Sequence, residues 1–217
     1  TQGWLTTADS TENIQAIKYV TATVSGACNT LCTVCTNYKV AKFLGPGTFC
    51  VSCAGNSQGS YQVDYMVVAG GGSGGSGGAQ PSGAGGGAGG FRESPGAASG
   101  CYSVSPLGVA PAAAIAVTVQ GYPIVVGAGG PPVTASPPVG TKGNPGSVSS
   151  FDTIPSAGGG GGGARFPTAP AALGLPGGSG GGGGWDIPGT GTLAPGGTGN
   201  DPPVSPAQGF PGGAGAH

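Results

Sequence analysis

The chain has 217 residues, 52 of them Gly and 21 Pro, with only six Lys or Arg, seven Asp or Glu and a formal net charge of −1. That balance offers no basic face for nucleic acid, and no apolar run approaches the roughly 20 residues that cross a bilayer. Glycine at about a quarter, against a usual share of about 7%, points to low complexity. Disordered chains, however, combine low hydrophobicity with high net charge, and this uncharged, mildly apolar chain is expected to collapse or associate.

Composition changes near residue 70. Before it lie five of the six cysteines, six glycines and one proline; after it lie 46 glycines and 20 prolines. In chain order, Asp9 and Glu12 stand at capping-box spacing and predict a short helix over about 10–17. Lys18–Val24 has strand composition. Tyr38–Leu44 and Thr48–Cys53 read as a hairpin with Gly45–Pro46–Gly47 as its turn. Tyr61–Ala69 is the strongest strand of the chain, half-exposed at first and fully apolar at its end. Within the glycine-rich part, Ile115, Val117 and Val119 alternate with small or polar residues, Ile124–Val126 follow, and Gly146–Ile154 is a shorter strand candidate. Glycine runs follow strands at 70–78 and 158–163, and a third occupies 180–184. Three divisions result: an N-terminal segment over 1–30, placed as an anchor by position, a Cys-containing β region over 31–69, and a glycine-rich region over 70–217.

A weak internal repeat runs through that last region. Three glycine runs end in an aromatic beside a charge: Phe91–Arg92, Arg165–Phe166 and Trp185–Asp186. Glycine in the polyproline II conformation forms an extended helix of three residues per turn with no internal hydrogen bonds. Without side chains, several such helices can approach closely and bond N–H to C=O between neighbours. Ordering one backbone residue costs about 1–2 kcal/mol and a hydrogen bond returns about 1 kcal/mol net. A single run therefore stays disordered, whereas a packed stack orders cooperatively. The expected fold is mainly β, with sandwich-like strands and a hairpin followed by polyglycine II packing.

Chemistry-bearing constellations are sparse. His217 is the sole histidine and the last residue, which leaves no positioned base for a Ser or Cys nucleophile. The seven acids are scattered, and "GGGSGGSGG" lacks the Gly-Lys-Ser/Thr of a phosphate loop. The chain is expected not to be an enzyme. Cys32, Cys35, Cys50 and Cys53 stand near the spacing of a four-thiolate zinc site, with Cys28 and Cys101 left over. Disulfides suit a particle outside cells, and buried free thiols are a third reading. Pairing about Pro46 sets Cys50 opposite Lys42, so the hairpin by itself does not assemble the four thiols. Thr1 is compatible with a trimmed initiator Met, a removed signal peptide or an incompletely built chain.

The segment "YKVAKFLGPGTFCVSCAGNSQGSYQVDYMVVAGGGSGGSGG", with the later "AVTVQGYPIVVGAGG" and "GNPGSVSSFDTIPSAGGGGGG", resembles the Gly-rich domain of tail-fibre and other virion proteins of tailed phages. The resemblance covers about residues 38–185 and departs from the family in the Cys-rich insertion "ACNTLCTVCTN" and in Ala41. It implies a virion or extracellular location and a non-enzymatic tail-fibre or adhesin-like role in assembly and host attachment. Its implied partners are other virion proteins, copies of itself as a trimer, and a host surface glycan or outer-membrane protein. Phe91, Arg92, Arg165, Phe166, Trp185 and Asp186 are the candidate receptor contacts, against the plainer reading that they cap the glycine layer. The alternatives are a fibre-shaft or capsid-decoration protein and a secreted glycine-rich structural or ice-binding protein.

Overall fold

The computed structural model describes residues 16–34, 38–77, 83–96, 105–134, 140–165, 169–185 and 192–215. It is mainly β and antiparallel. A five-stranded sheet carries β1 (Val20–Ser25), β4 (Gly47–Ala54), β9 (Gly121–Val125), β10 (Ser149–Phe151) and β11 (Ile154–Ser156) in that spatial order. Three two-stranded ladders accompany it: β2 (Thr30–Val34) with β3 (Tyr38–Lys42), β5 (Gln62–Val63) with β8 (Ile115–Ala116), and β6 (Met66–Val68) with β7 (Phe91–Glu93). The core gathers Ala22, Phe49, Val51, Val67, Val117, Tyr122 and Phe151. Phe49 and Phe151 meet edge to face at 6.1 Å, and Tyr122 and Tyr65 lie 5.9 and 6.5 Å from the Phe151 ring, the tilted geometry that aromatic quadrupoles favour.

The expected hairpin about Pro46 does not form. β3 pairs with β2, Leu31 opposite Ala41 and Cys32 opposite Val40, while β4 pairs with β1 on one side and β9 on the other. Gly45–Pro46–Gly47 is thus a crossing between two sheets. The Asn29 side chain organises it, accepting from the Leu44 and Gly45 amides at 3.0 and 3.2 Å and donating to the Ser25 carbonyl at 2.8 Å. A burial difference drives the choice of partner: β4 buries Phe49 and Val51, whereas Tyr38 and Val40 of β3 remain exposed. The Tyr61–Ala69 strand is also broken. At Asp64–Tyr65 the chain changes partner from β8 to β7, and Ser94 holds the break, its hydroxyl donating to Asp64 at 2.8 Å and accepting from the Tyr65 amide at 3.0 Å. The 146–154 strand candidate becomes β10 and the start of β11, turned by Asp152 at φ 49°. The helix expected over 10–17 falls largely outside the described residues; Ala16 and Ile17 are not helical.

Beyond these strands the glycine-rich chain forms nine extended segments among the described residues: r1 (69–77), r2 (83–90), r3 (126–134), r4 (140–148), r5 (157–165), r6 (173–178), r7 (179–185), r8 (193–199) and r9 (208–215). One short helical turn, α1 (Ala169–Ala172), leads into r6. The hydrogen bonds between segments repeat every three residues. Gly159 and Gly162 donate to Gly70 and Ser73; Gly160 and Gly163 donate to Ser179 and Gly182; Gly146 and Gly143 donate to Gly159 and Gly162; Gly87 and Ala84 donate to Gly160 and Gly163; Gly178 and Leu175 donate to Gly158 and Gly161. A β ladder repeats every two residues, so a three-residue period with bonds to five surrounding segments identifies the polyglycine II stack expected from the sequence. The bonding places r3, r1 and r2 in one row, r4, r5, r7 and r9 in a second, and r6 and r8 in a third. Interior glycines are sterically required: a Cβ at Gly161 would overlap the Gly143 carbonyl, and one at Gly160 the Leu175 carbonyl. Segments r1 and r2 extend the β6–β7 ladder, and r3, r4 and r5 extend β9, β10 and β11, so each of these five rods is anchored by a strand.

Candidate functional site

The rods define two ends. Strands enter at one, and there the r8-to-r9 connection closes around Asn200, held at φ 54°. Asn200 accepts from the Val204 and Gln208 amides at 3.1 and 3.2 Å. Gln208, 1% exposed, accepts from the Ala157 amide at 2.7 Å and donates to the Pro202 carbonyl at 2.8 Å. A recess of about 60 Å³ opens beside it, lined by Val148, Pro155, Ala157, Pro202, Val204 and Gln208. Gln208 plugs the junction between sheet and stack; no motif in the sequence marks it, because the Ala157 amide it satisfies lies 51 residues away along the chain.

At the far end, r1, r3, r5 and r7 run outward to residues 77, 134, 165 and 185, and r2, r4, α1–r6 and r8 return from residues 83, 140, 169 and 192. The described rod ends that flank these four connections therefore all lie on the same side of the stack. Here the structure brings together two of the candidate contact residues, with the Arg165 guanidinium 5.1 Å from the centroid of the Trp185 ring. Trp185 is 37% exposed and Arg165 half-buried. The pair forms a cation–π contact that holds the indole while leaving part of it open to solvent. Arg165 lies beside Gly140, where an added Cβ would overlap the Arg165 carbonyl. Two residues further along r4, partial burial lowers the Lys142 ammonium below the ordinary lysine value. A cation and a partly open indole face can bind an uncharged or anionic ring.

Phe166 and Asp186 lie outside the described residues. Phe91 and Arg92 are on β7 at the opposite end, about 25 Å away for eight residues of polyproline II rise. Phe91 pairs with Val68, and Arg92 donates to the Pro155 carbonyl at 3.4 Å. The six candidates therefore do not form one surface. Their shared position at the end of a glycine run reflects the alternating direction of the rods: r2 runs inward, r5 and r7 outward.

Among the described residues, the candidate zinc ligands lie on different elements. Cys32 lies exposed on the separate β2–β3 ladder, Cys50 and Cys53 lie on β4, and Cys35 is outside the described residues. Cys28, Cys32, Cys50 and Cys53 carry free thiols, and no group of three or more His, Cys, Asp or Glu among the described residues could hold a metal ion. The separation follows from β4 pairing with β1 and β9 instead of β3: Cys50 stands opposite Thr23 and Gly121, and Cys53 opposite Thr21.

Comparison with known proteins identifies the glycine-rich part. A family model described as a glycine-rich domain matches residues 46–217. The chain belongs to this glycine-rich domain family. No curated protein matches the chain, and neither does any solved structure. The glycine-rich domain so defined begins at Pro46, one residue before β4, and takes in every rod. It leaves β1 outside, although β1 is the edge strand that completes the same sheet.

Proposed function

We propose that the chain is a non-enzymatic structural protein of a tailed-phage particle, a tail-fibre or adhesin-like component that presents the outer end of its glycine stack to the host surface. The carrying observation is that r1, r3, r5 and r7 end, and r2, r4, r6 and r8 begin, on one side of the stack. A stack with little side-chain freedom holds the ends of its connecting loops in fixed relation, the arrangement in which surface loops on a rigid frame carry recognition. The phage-like order of the hairpin-region, V-x-V and polyglycine elements supports the particle assignment. The Arg165–Trp185 pair supplies an aromatic anchor of the type enriched at interfaces, suited to a sugar ring or an outer-membrane protein loop.

Two measurements on the full chain test this. Antibody labelling of particles is expected to decorate the distal end of a fibre; labelling of the capsid shell alone overturns the attachment role. Trp185→Ala is expected to weaken host-cell binding by about tenfold or more, the loss of one interface anchor, with an unchanged melting temperature. Binding equal to wild type removes Trp185 from the site.

A further inference from the structure

The nine rods carry only two charged residues, Lys142 and Arg165, and both are cations near the outer end. The described acids lie toward the strand end: Asp64 and Glu93 beside the β6–β7 ladder, Asp152 in the β10–β11 turn and Asp201 in the r8-to-r9 connection. Among the described residues the outer end therefore has a positive potential. Arg165 is half-buried, yet its guanidinium makes no hydrogen bond or ion pair among the described residues; what holds it is the Trp185 ring. None of its nitrogens is enclosed without a partner, so its N–H groups reach solvent. The Trp185 indole N–H likewise has no acceptor among the described residues.

A guanidinium and an indole N–H donate and cannot accept, so this pair is a donor-only set. A sugar hydroxyl gives one hydrogen bond as well as taking others, and against such a set its proton finds no partner. A carboxylate or phosphate only accepts, and it matches the guanidinium fork with paired, charge-assisted bonds. Apolar surface stands beside the donors. Part of the indole is open, and Leu193, 40% exposed, begins r8 at the same end, where the next residue, Ala194, adjoins Gly183 of r7.

We infer that the outer end of the stack binds an acidic sugar, its carboxylate or phosphate on the Arg165 fork and the C–H face of its ring on the open part of the Trp185 indole. The inference rests on the host-attachment reading and narrows its ligand, from a glycan or a protein loop to an anionic saccharide. Trp185 has two tasks in it. It carries the ring, and it restrains the guanidinium beforehand, so that less side-chain freedom is lost on binding.

The test is calorimetric titration of the full chain with trigalacturonate against its methyl ester, with glucose 6-phosphate against glucose, and with inorganic phosphate. At least one acidic sugar is expected to bind about tenfold or more tightly than its neutral counterpart, the worth of one charge-assisted pair. The tighter of the two acids identifies carboxylate or phosphate as the group recognised. Arg165→Gln is expected to erase the difference with an unchanged melting temperature. Equal binding of acidic and neutral forms overturns the inference, as does a folded Arg165→Gln that keeps the preference. Inorganic phosphate binding as tightly as either acidic sugar marks an adventitious ion only, and also overturns it. Asp186→Asn, at the residue after Trp185, is expected to leave acid binding equal or stronger; loss of binding there would assign the sugar hydroxyls to a carboxylate and overturn the donor-only site. Should Arg165→Gln not fold, the Arg165 side-chain N–H resonance of wild type decides: it is expected to move with an acidic sugar and not with its neutral counterpart, and no movement overturns the inference. Host-cell binding separates this outcome from the attachment reading. Cells bound through Trp185 while no acidic sugar binds would overturn the inference alone, and an acidic sugar bound while cells are not would overturn attachment and leave the site standing.

Discussion

At the residue scale, the stack distinguishes glycines that composition treats alike. Gly161 points into the Gly143 carbonyl, and Gly213 points into open space. Gly161→Ala is therefore expected to lower unfolding free energy by about 3 kcal/mol or more, the upper range for overpacking against backbone that cannot move aside. Gly213→Ala is expected to raise it by about 0.4–1 kcal/mol by reducing unfolded-chain entropy. Denaturant titration of the two variants checks both signs; equal effects would show that the rods are not packed as described. Gln208→Ala leaves the buried Ala157 amide without its acceptor, and a loss of about 1–3 kcal/mol is expected, read from the same titration. The Arg165–Trp185 neighbourhood was half legible: each residue sits at the end of a glycine run, but only rods of parallel direction bring the two together. Asn29, Asn200 and Gln208 gave no signal, because an amide side chain that satisfies distant backbone looks in sequence like any polar loop residue.

At the element scale, strand composition was readable and strand partnership was not. Apolar alternation marks Phe49 and Val51, and β4 forms there. Its neighbours are set by which faces bury together, so the GPG turn joins two sheets instead of closing a hairpin. The same competition splits Tyr61–Ala69 at Asp64–Tyr65. The aromatic cluster is where β4, β9, β10 and the β5–β6 break meet. Phe151→Ala is expected to cost about 3–5 kcal/mol, as truncations of buried aromatics do, and to destabilise r4 and r5 as well, since β10 and β11 run directly into them. Hydrogen exchange resolved by segment checks the coupling: faster exchange confined to the β sheet, with 143–163 unaffected, would show that the rods order independently of their strands.

At the scale of the whole molecule, each interior rod is bonded on several sides, and no rod has internal hydrogen bonds to keep it ordered alone. Order is therefore expected to be collective. Amides of Gly159, Gly160, Gly162 and Gly163, which donate to two different rods, r1 and r7, should exchange slowly and with one common opening free energy. Exchange at free-peptide rates, or opening free energies graded along the run, would contradict a cooperative stack.

The sequence by itself determined the material: a nearly uncharged chain with glycine runs of the right length can neither dissolve as a random coil nor pack side chains, and a three-residue backbone helix is the remaining way to pair its amides. It also determined where apolar strands begin. Only the tertiary structure decided which strand meets which, that Cys32 lies on a different ladder from Cys50 and Cys53, that Trp185 meets Arg165, and that Phe91 and Arg92 lie at the opposite, strand end. Those outcomes depend on rod direction and on which faces bury together, both of which are set by contacts between residues far apart in the chain. A glycine run carries no side chain to specify such contacts locally.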